Sequence, residues 1–234
     1  MANIQHLQKL NQDAESWNKW REYNREIPDL SNANLNHIEL CNYNLKNANL
    51  NGTNLSGAIL ISTDLKGANL ISSNLCDADL WDANLKNANL GFAELCHANL
   101  ISANLKSANL KNSNLKNAII DLSTKIDKKW RLVWEIVTEG GEYKDFKDKK
   151  LSHANLKNAN FSNANLQGVN LSHTQLWSVN FSGANLKSTN FQDADISMSN
   201  FTLVQNLTPQ QVKLALNWQK AKYDLDFRVK LGLV

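Results

Sequence analysis

The chain has 234 residues, of which 42% are hydrophobic and 20% are charged, and its formal net charge is +3. This length suits one or two domains with a buried core, and the charge is too small to indicate a nucleic-acid or membrane partner by itself. Asparagine occurs 36 times and leucine 35 times, against two prolines and nine glycines, which predicts an internal repeat and not an ordinary enzyme.

The beginning of the chain does not resemble a signal peptide, and no run of about 18 apolar residues could span a bilayer. The sequence therefore predicts a cytoplasmic protein without membrane insertion.

The first predicted element is a helix over residues 3–26, before Pro28. Apolar residues recur in it at helical spacing, namely Ile4, Leu7, Leu10, Ala14 and Trp17. We interpret residues 1–28 as an N-terminal helical cap, because a stack of repeats exposes backbone and apolar groups at its ends. The alternative is that Trp17 and Trp20 bind a partner.

Residues 29–120 follow a period of five. Every fifth residue from Leu30 to Leu115 is leucine, and Ile120 closes the run. A period of five residues fits neither a helix nor a strand, so each pentad should be a short extended piece followed by a turn. The side chains of the leucine and of the small residue two positions before it should point into the interior. The turn should fall two residues after each leucine, at Asn42, Asn47, Gly52, Gly57, Ser62, Gly67, Asp77, Asp82 and Asn87.

These pentads resemble the pentapeptide-repeat family, whose pattern A(N/D)LXX occurs in residues 48–52 (ANLNG) and 108–112 (ANLKN). The resemblance implies an all-β repeat fold, a right-handed quadrilateral β-helix with four pentads per coil. The apolar centres of both runs together would make between seven and eight coils. Outward residues that recur every twenty positions support the coil length independently: Lys46, Lys66, Lys86 and Lys106 in one column, and Cys41, Ile61, Trp81 and Ile101 in another.

Residues 121–144 interrupt the repeat. A helix is predicted from Thr124 to Glu139 and ends at Gly140 and Gly141. Its apolar stripe consists of Ile126, Trp130, Val133, Trp134 and Val137. Our hypothesis is that this helix folds back over the apolar column and buries Trp130 and Trp134 against Trp81 and Ile101. The alternative is that the column is a dimer interface.

The repeat resumes over residues 145–205, with a predicted interior ladder of Phe161, Phe181 and Phe201. Residues 206–234 are interpreted as a C-terminal helical cap that resembles the endings of some cyanobacterial family members. Thr208, Pro209 and Gln211 form a helix-start pattern. Val212, Ala215, Leu216 and Trp218 are expected to point inward.

Three cysteines without a CxxC pattern predict free thiols and no disulfide. Stacking at twenty residues places Cys76 above Cys96 and Asp77 beside His97, a candidate zinc site. Ladder side chains should run parallel without converging, so we expect no metal or cofactor there. His153 and His173 also stack, and they are a weaker candidate for a pH or metal role.

The lysine column is the sharper surface feature. It suits contact with an acidic protein surface or a phosphate chain, although it lacks the aromatic residues typical of nucleic-acid binding. The resemblance also implies a possible DNA-mimic inhibitor of gyrase, which the positive charge disfavours. With no catalytic constellation, the sequence predicts a non-enzymatic scaffold, monomeric or dimeric, that presents flat side-chain ladders to an unknown protein partner.

Overall fold

The computed structural model describes residues 1–233. Its helices are α1 (Ile4–Leu10), α2 (Ala14–Tyr23), α3 (Lys128–Glu139), α4 (Pro209–Lys213) and α5 (Leu225–Leu231), with a 3-10 turn at Trp218–Lys220. The strands β1 (Asn200–Phe201) and β2 (Lys222–Tyr223) pair in parallel. The chain forms two compact units, Met1–Trp130 and the residues from Arg131 onward.

Parallel bridges between residues twenty positions apart build the repeat in each unit. They run from Asp29↔Asn49 to Asn99↔Ile119 in the first unit, and from Asp145↔Asn165 to Asn185↔Gln205 in the second. Most are isolated bridges because each side of a coil is only a few residues long. The twenty-residue spacing confirms four pentads per coil.

The interior consists of the residues at the centre of each pentad and the small residues two positions earlier. Leu50, Leu70 and Leu90 are completely buried, as are Ala48 and Ala68. Buried Thr53 and Thr63 donate their hydroxyl hydrogens to the carbonyl oxygens of Leu30 and Leu40, which removes the cost of an unpaired polar group in the core. The predicted inward pattern is confirmed.

The predicted turns are also confirmed. All nine turn residues named from the sequence have φ between 53° and 69°. Asparagine, aspartate and glycine tolerate this left-handed conformation better than other residues.

The first run ends differently from the prediction. Ile120 is half-exposed, while Thr124 is buried and donates its hydroxyl hydrogen to the Leu100 carbonyl. The bridge Asn104↔Lys125 spans 21 residues, so one residue is inserted at this corner. Asp121 accepts hydrogen bonds from the Ser123 and Thr124 side chains and backbone, which hold its pKa at about 2. The chain therefore keeps its coil path up to residue 127, and α3 begins four residues later than predicted.

The N-terminal helix is two helices and not one. α1 ends at Leu10, and Asp13 begins α2 by accepting a hydrogen bond from the Ser16 backbone N–H at 2.7 Å. α2 contacts the first coil through completely buried Trp17, whose indole N–H donates to the Asn44 carbonyl at 2.9 Å. Asn18 donates to the Asn42 carbonyl and accepts from the Asn44 N–H.

The phenylalanine ladder of the second unit is confirmed. Phe161 and Phe181 stack at 5.6 Å, and Phe181 and Phe201 at 4.9 Å. Tyr223 adds a further rung that the period does not reveal, with its ring 5.5 Å from Phe201. Burial raises the pKa of the Tyr223 phenol, whose hydroxyl donates to the Trp218 carbonyl.

The C-terminal helix start is present as predicted, with a capping box between Thr208 and Gln211. Val212 and Ala215 are buried, but Leu216 is 52% exposed and Trp218 is partly exposed. The inward prediction for these last two residues is wrong, because α4 ends at Lys213 and no longer sets their direction.

Candidate interaction surfaces

The lysine face is the column of Lys46, Lys66, Lys86 and Lys106, each of which follows a buried leucine of stacked coils. Lys46, Lys86 and Lys106 are exposed and Lys66 is half-exposed. Within residues 1–233, none of the four ammonium groups lies within 4.0 Å of a carboxylate oxygen. The structure thus brings the four lysines together as an unneutralised row.

Asp64 is the acidic residue among the outward positions that precede the leucines of this column. Its Oδ1 accepts hydrogen bonds from the Lys66 backbone N–H at 3.0 Å and from the Asn84 side chain at 3.0 Å. Asn44, Asn84 and Asn104 occupy the same position in the other coils, and each accepts from the backbone N–H of the following lysine. These bonds hold the backbone beneath the lysines in one repeated conformation.

The apolar column lies on an adjacent side of the coil, one pentad before the lysine face. Trp81 is 45% exposed, whereas Cys41, Ile61 and Ile101 are partly buried. The alternative that this column is a dimer interface stays a prediction.

The packing of the interruption over the apolar column stays a prediction. Lys129, in the first turn of α3, lies within electrostatic reach of Lys111, and Lys111 belongs to the side of the coil opposite Trp81. Trp81 itself is 45% exposed.

Within α3, Trp130, Val133 and Ile136 are buried, whereas Trp134 is only partly buried. The Lys129 ammonium lies 4.4 Å from the centre of the Trp130 ring, within the range of a cation–π contact. Burial, and next the positive charge of Lys111, lower the pKa of Lys129. Trp130 is therefore a core residue of this segment and not an exposed anchor.

The prediction of free thiols is wrong for two of the three cysteines. Cys76 and Cys96 form a disulfide across adjacent coils, and only Cys41 is free among the described residues. Their Cα atoms are 4.7 Å apart, within the range that a disulfide spans. Two cysteines separated by exactly one coil are held in register, although nothing in their spacing matches a familiar disulfide pattern.

The metal candidates also group differently from the prediction. The ligand atoms of Cys76, Cys96 and Glu94 lie within 4.8 Å of one another. Asp77 and His97 are not part of this group, because they occupy the left-handed turn positions with φ near 60°. Glu94 was missed because it precedes a leucine, a position that asparagine usually fills.

His153 and His173 stack as predicted, with ring centroids 4.8 Å apart and ring planes 7° apart. His173 also lies 3.6 Å from the Asp193 carboxylate. Their pH or metal role stays a prediction.

Comparison with known families decides the affiliation of the chain. The family described as pentapeptide repeats matches it in eight copies, over residues 29–60, 44–82, 63–100, 78–117, 145–176 and 164–202, which is more than half of the chain. The chain belongs to the pentapeptide-repeat family. Right-handed quadrilateral β-helices are the fold of such repeats, in agreement with the bridges one coil apart.

Solved structures similar to this pentapeptide-repeat protein include cyanobacterial ones. HetL of Nostoc sp. strain PCC 7120, involved in heterocyst differentiation regulation, is 26% identical over 82% of this chain and 68% of its own, with a TM-score of 0.35. Rfr23 of Cyanothece 51142 is 40% identical over 38% of this chain and 64% of its own, with a TM-score of 0.24.

Full-length QnrB1, a plasmid-mediated fluoroquinolone resistance protein, is 14% identical over 83% of this chain and 85% of its own, with a TM-score of 0.31. A comparison with curated protein sequences found no match. Within residues 1–233, no helix of this pentapeptide-repeat protein is long and apolar enough to cross a membrane.

Proposed function

We propose that this pentapeptide-repeat protein is a non-enzymatic scaffold whose lysine face binds an acidic surface of a partner protein. The observation that carries the proposal is the row of four lysines on stacked coils, none of them paired with a carboxylate within the described residues. Like charges at coil spacing of about 4.8 Å repel one another in water by roughly 1 kcal/mol or less per neighbouring pair. An acidic partner would relieve that repulsion and gain contacts with all four side chains.

The arrangement favours a protein partner over nucleic acid. The column has no aromatic side chain on which bases could stack, and one row of cations neutralises few phosphates. The net charge of +3 and the lysine face also oppose mimicry of DNA, which requires an acidic surface. A flat, regular row suits an acidic helix or strand edge whose carboxylates match the spacing of the coils.

The proposed scaffold has helical caps at both ends of its coils and a cytoplasmic location. We propose that residues 1–28 and 206–234 act as caps on between seven and eight coils, and that the protein works in the cytoplasm. Support for the N-terminal cap comes from α2, whose Trp17, Asn18 and Arg21 side chains hydrogen-bond backbone groups of residues 42–46. Paired edges of this kind hinder end-to-end growth of stacked repeats.

The test reverses charge on the lysine face. In the Lys66→Glu/Lys86→Glu/Lys106→Glu variant, we expect proteins that copurify from the native cell to be lost, and affinity for the purified partner to fall about 10- to 100-fold. Quantitative mass spectrometry followed by a binding titration would measure both. Wild-type binding should also weaken as salt rises.

The matched control is Lys147→Glu/Lys157→Glu/Lys187→Glu, which changes the net charge equally at exposed positions after other pentad centres. We expect this control variant to bind the partner with the affinity of the wild type. An unchanged partner set in the lysine-face variant, or equal losses in both variants, would contradict the proposal.

A further inference from the structure

The side of the coil opposite the lysine face carries two cysteines and a carboxylate in one cluster. Cys76 and Cys96 follow Leu75 and Leu95, and Glu94 precedes Leu95. All three side chains point outward, because the leucine between Glu94 and Cys96 points into the core. Their ligand atoms lie within 4.8 Å of one another.

Glu94 breaks a regular ladder of asparagines at this place. In the coils above, the Asn54 side chain donates to Asn34, and the Asn74 side chain donates to Asn54. Glu94 has no N–H to donate to Asn74, and its carboxylate instead accepts from the Asn114 side chain at 2.8 Å. One carboxylate therefore replaces an amide beside the pair of cysteines and is held in place from the coil below.

We propose that the dithiol form of Cys76 and Cys96, together with Glu94, binds one Zn²⁺ ion, and that disulfide formation abolishes the site. Two thiolates and a carboxylate are ligands that zinc accepts, and water would complete a tetrahedral set. Thiolates also select zinc over Mg²⁺ or Ca²⁺, which prefer oxygen ligands alone.

The register of the coils suits this geometry. Two sulfur atoms bound to one tetrahedral zinc ion lie ~3.8 Å apart, given Zn–S distances of ~2.3 Å. The Cα atoms of Cys76 and Cys96 are separated by 4.7 Å, so side chains that leave the coils in parallel need only a small rotation to share one ion. Convergence of long side chains from several directions is not required.

The disulfide form and the zinc-bound form interconvert through a two-electron redox step and the exchange of two thiol protons for Zn²⁺. An external dithiol reductant transfers two electrons and two protons to the disulfide, which becomes two thiols, while the reductant becomes a disulfide itself. Zn²⁺ then displaces both thiol protons into solvent. Oxidation of the two thiolates by a disulfide oxidant reforms the Cys76–Cys96 bond and releases Zn²⁺, because a disulfide sulfur is no longer a thiolate ligand.

The experiment uses the full chain, reduced with dithiothreitol and freed of the reductant under anaerobic conditions. Zn²⁺ alone, titrated in competition with a chromogenic chelator, should bind with a stoichiometry of one to the reduced protein and not to the oxidised protein. Bound zinc should also slow the alkylation of Cys76 and Cys96, but not that of Cys41. Circular dichroism of every form checks that the repeat stays folded.

Variants separate the site from adventitious binding by thiols. Cys76→Ser and Cys96→Ser should lose the bound zinc, whereas Cys41→Ser should retain it. Glu94→Gln should weaken binding at least 10-fold, whereas Glu39→Gln, the same change at an equivalent pentad position, should have no effect. Asn114→Ala tests positioning of the carboxylate and should cost roughly 10- to 100-fold in affinity.

No zinc bound to the folded, reduced protein, or equal affinities of wild type and Glu94→Gln, would overturn the proposal. Absence of zinc binding would not contradict the lysine-face proposal, because the two sites are independent. The Lys66→Glu/Lys86→Glu/Lys106→Glu variant should bind zinc as the wild type does.

Discussion

At the residue scale, asparagine has two different tasks in this chain. Two residues after a leucine, it adopts the left-handed conformation of the turn, as Asn87 does with φ of 59°. One residue before a leucine, it links coils: the Asn69 amide donates to Asn49, while Asn69 Oδ1 accepts from the Ile71 backbone N–H. The first task follows from turn preferences, whereas the second depends on the neighbouring coil.

At some turns, glycine is favoured by a close contact with a side chain of the preceding coil as well as by the turn conformation. A Cβ atom at Gly67 would lie 2.4 Å from Asn47 Oδ1, one coil earlier. Substitution there would displace the asparagine side chain besides imposing a positive φ on a residue with a Cβ.

The turn conformation makes a prediction at this scale. Asn87→Val should lower the free energy of unfolding by about 1–2 kcal/mol, because a β-branched residue is strained at positive φ. Asn87→Gly should cost less than Asn87→Val, and Lys86→Val, at the adjacent exposed position, should cost little. Chemical denaturation of the three variants would measure these differences. Equal losses for Asn87→Val and Lys86→Val would contradict the role of the turn.

At the scale of elements, α2 serves the first coil as a neighbouring coil would. Asn18 both accepts from the Asn44 N–H and donates to the Asn42 carbonyl, and Arg21 donates to the Lys46 carbonyl. Buried Trp17 packs beside Tyr43, with ring centroids 6.3 Å apart, where most other pentads have a small residue. At the other end of the chain, Tyr223 continues the phenylalanine ladder by one rung.

Loss of the α2 contact should therefore be costly. Trp17→Ala should reduce the free energy of unfolding by roughly 3–5 kcal/mol, because it removes a large buried side chain and leaves the Asn44 carbonyl without its indole donor. Trp81→Ala is the matched control, since Trp81 is 45% exposed, and it should cost much less. Denaturant titrations would test this difference, which similar losses in the two variants would refute.

At the scale of the whole molecule, the charge distribution separates two functions that pentapeptide repeats could support. A net charge of +3 and an unneutralised lysine face suit an acidic partner and oppose imitation of DNA. Opposite columns of the first unit thus carry different chemistry, lysines on one and the Cys76–Cys96 pair on the other.

This difference predicts the result of a gyrase assay. Purified protein should leave DNA supercoiling by gyrase unchanged up to a several-fold molar excess over the enzyme, because a basic surface does not compete with DNA for a basic binding groove. An acidic variant such as Lys66→Glu/Lys86→Glu/Lys106→Glu controls for the sign of the face. Inhibition by the wild-type protein at equimolar concentration would show that DNA mimicry does not depend on net charge here.

The sequence by itself determined the pentad, its inward leucines, the turn positions and the four-pentad coil, because each follows from local periodicity and from columns that repeat every twenty residues. Only the tertiary structure decided which side chains meet between coils. The Cys76–Cys96 bond, the approach of Glu94 and the Tyr223 rung depend on register between segments about twenty residues apart. The tertiary structure also revealed a one-residue insertion before Lys125, after which α3 begins at Lys128. A single added residue changes the exit of the chain from the coil, and no hydrophobic pattern within α3 reveals it.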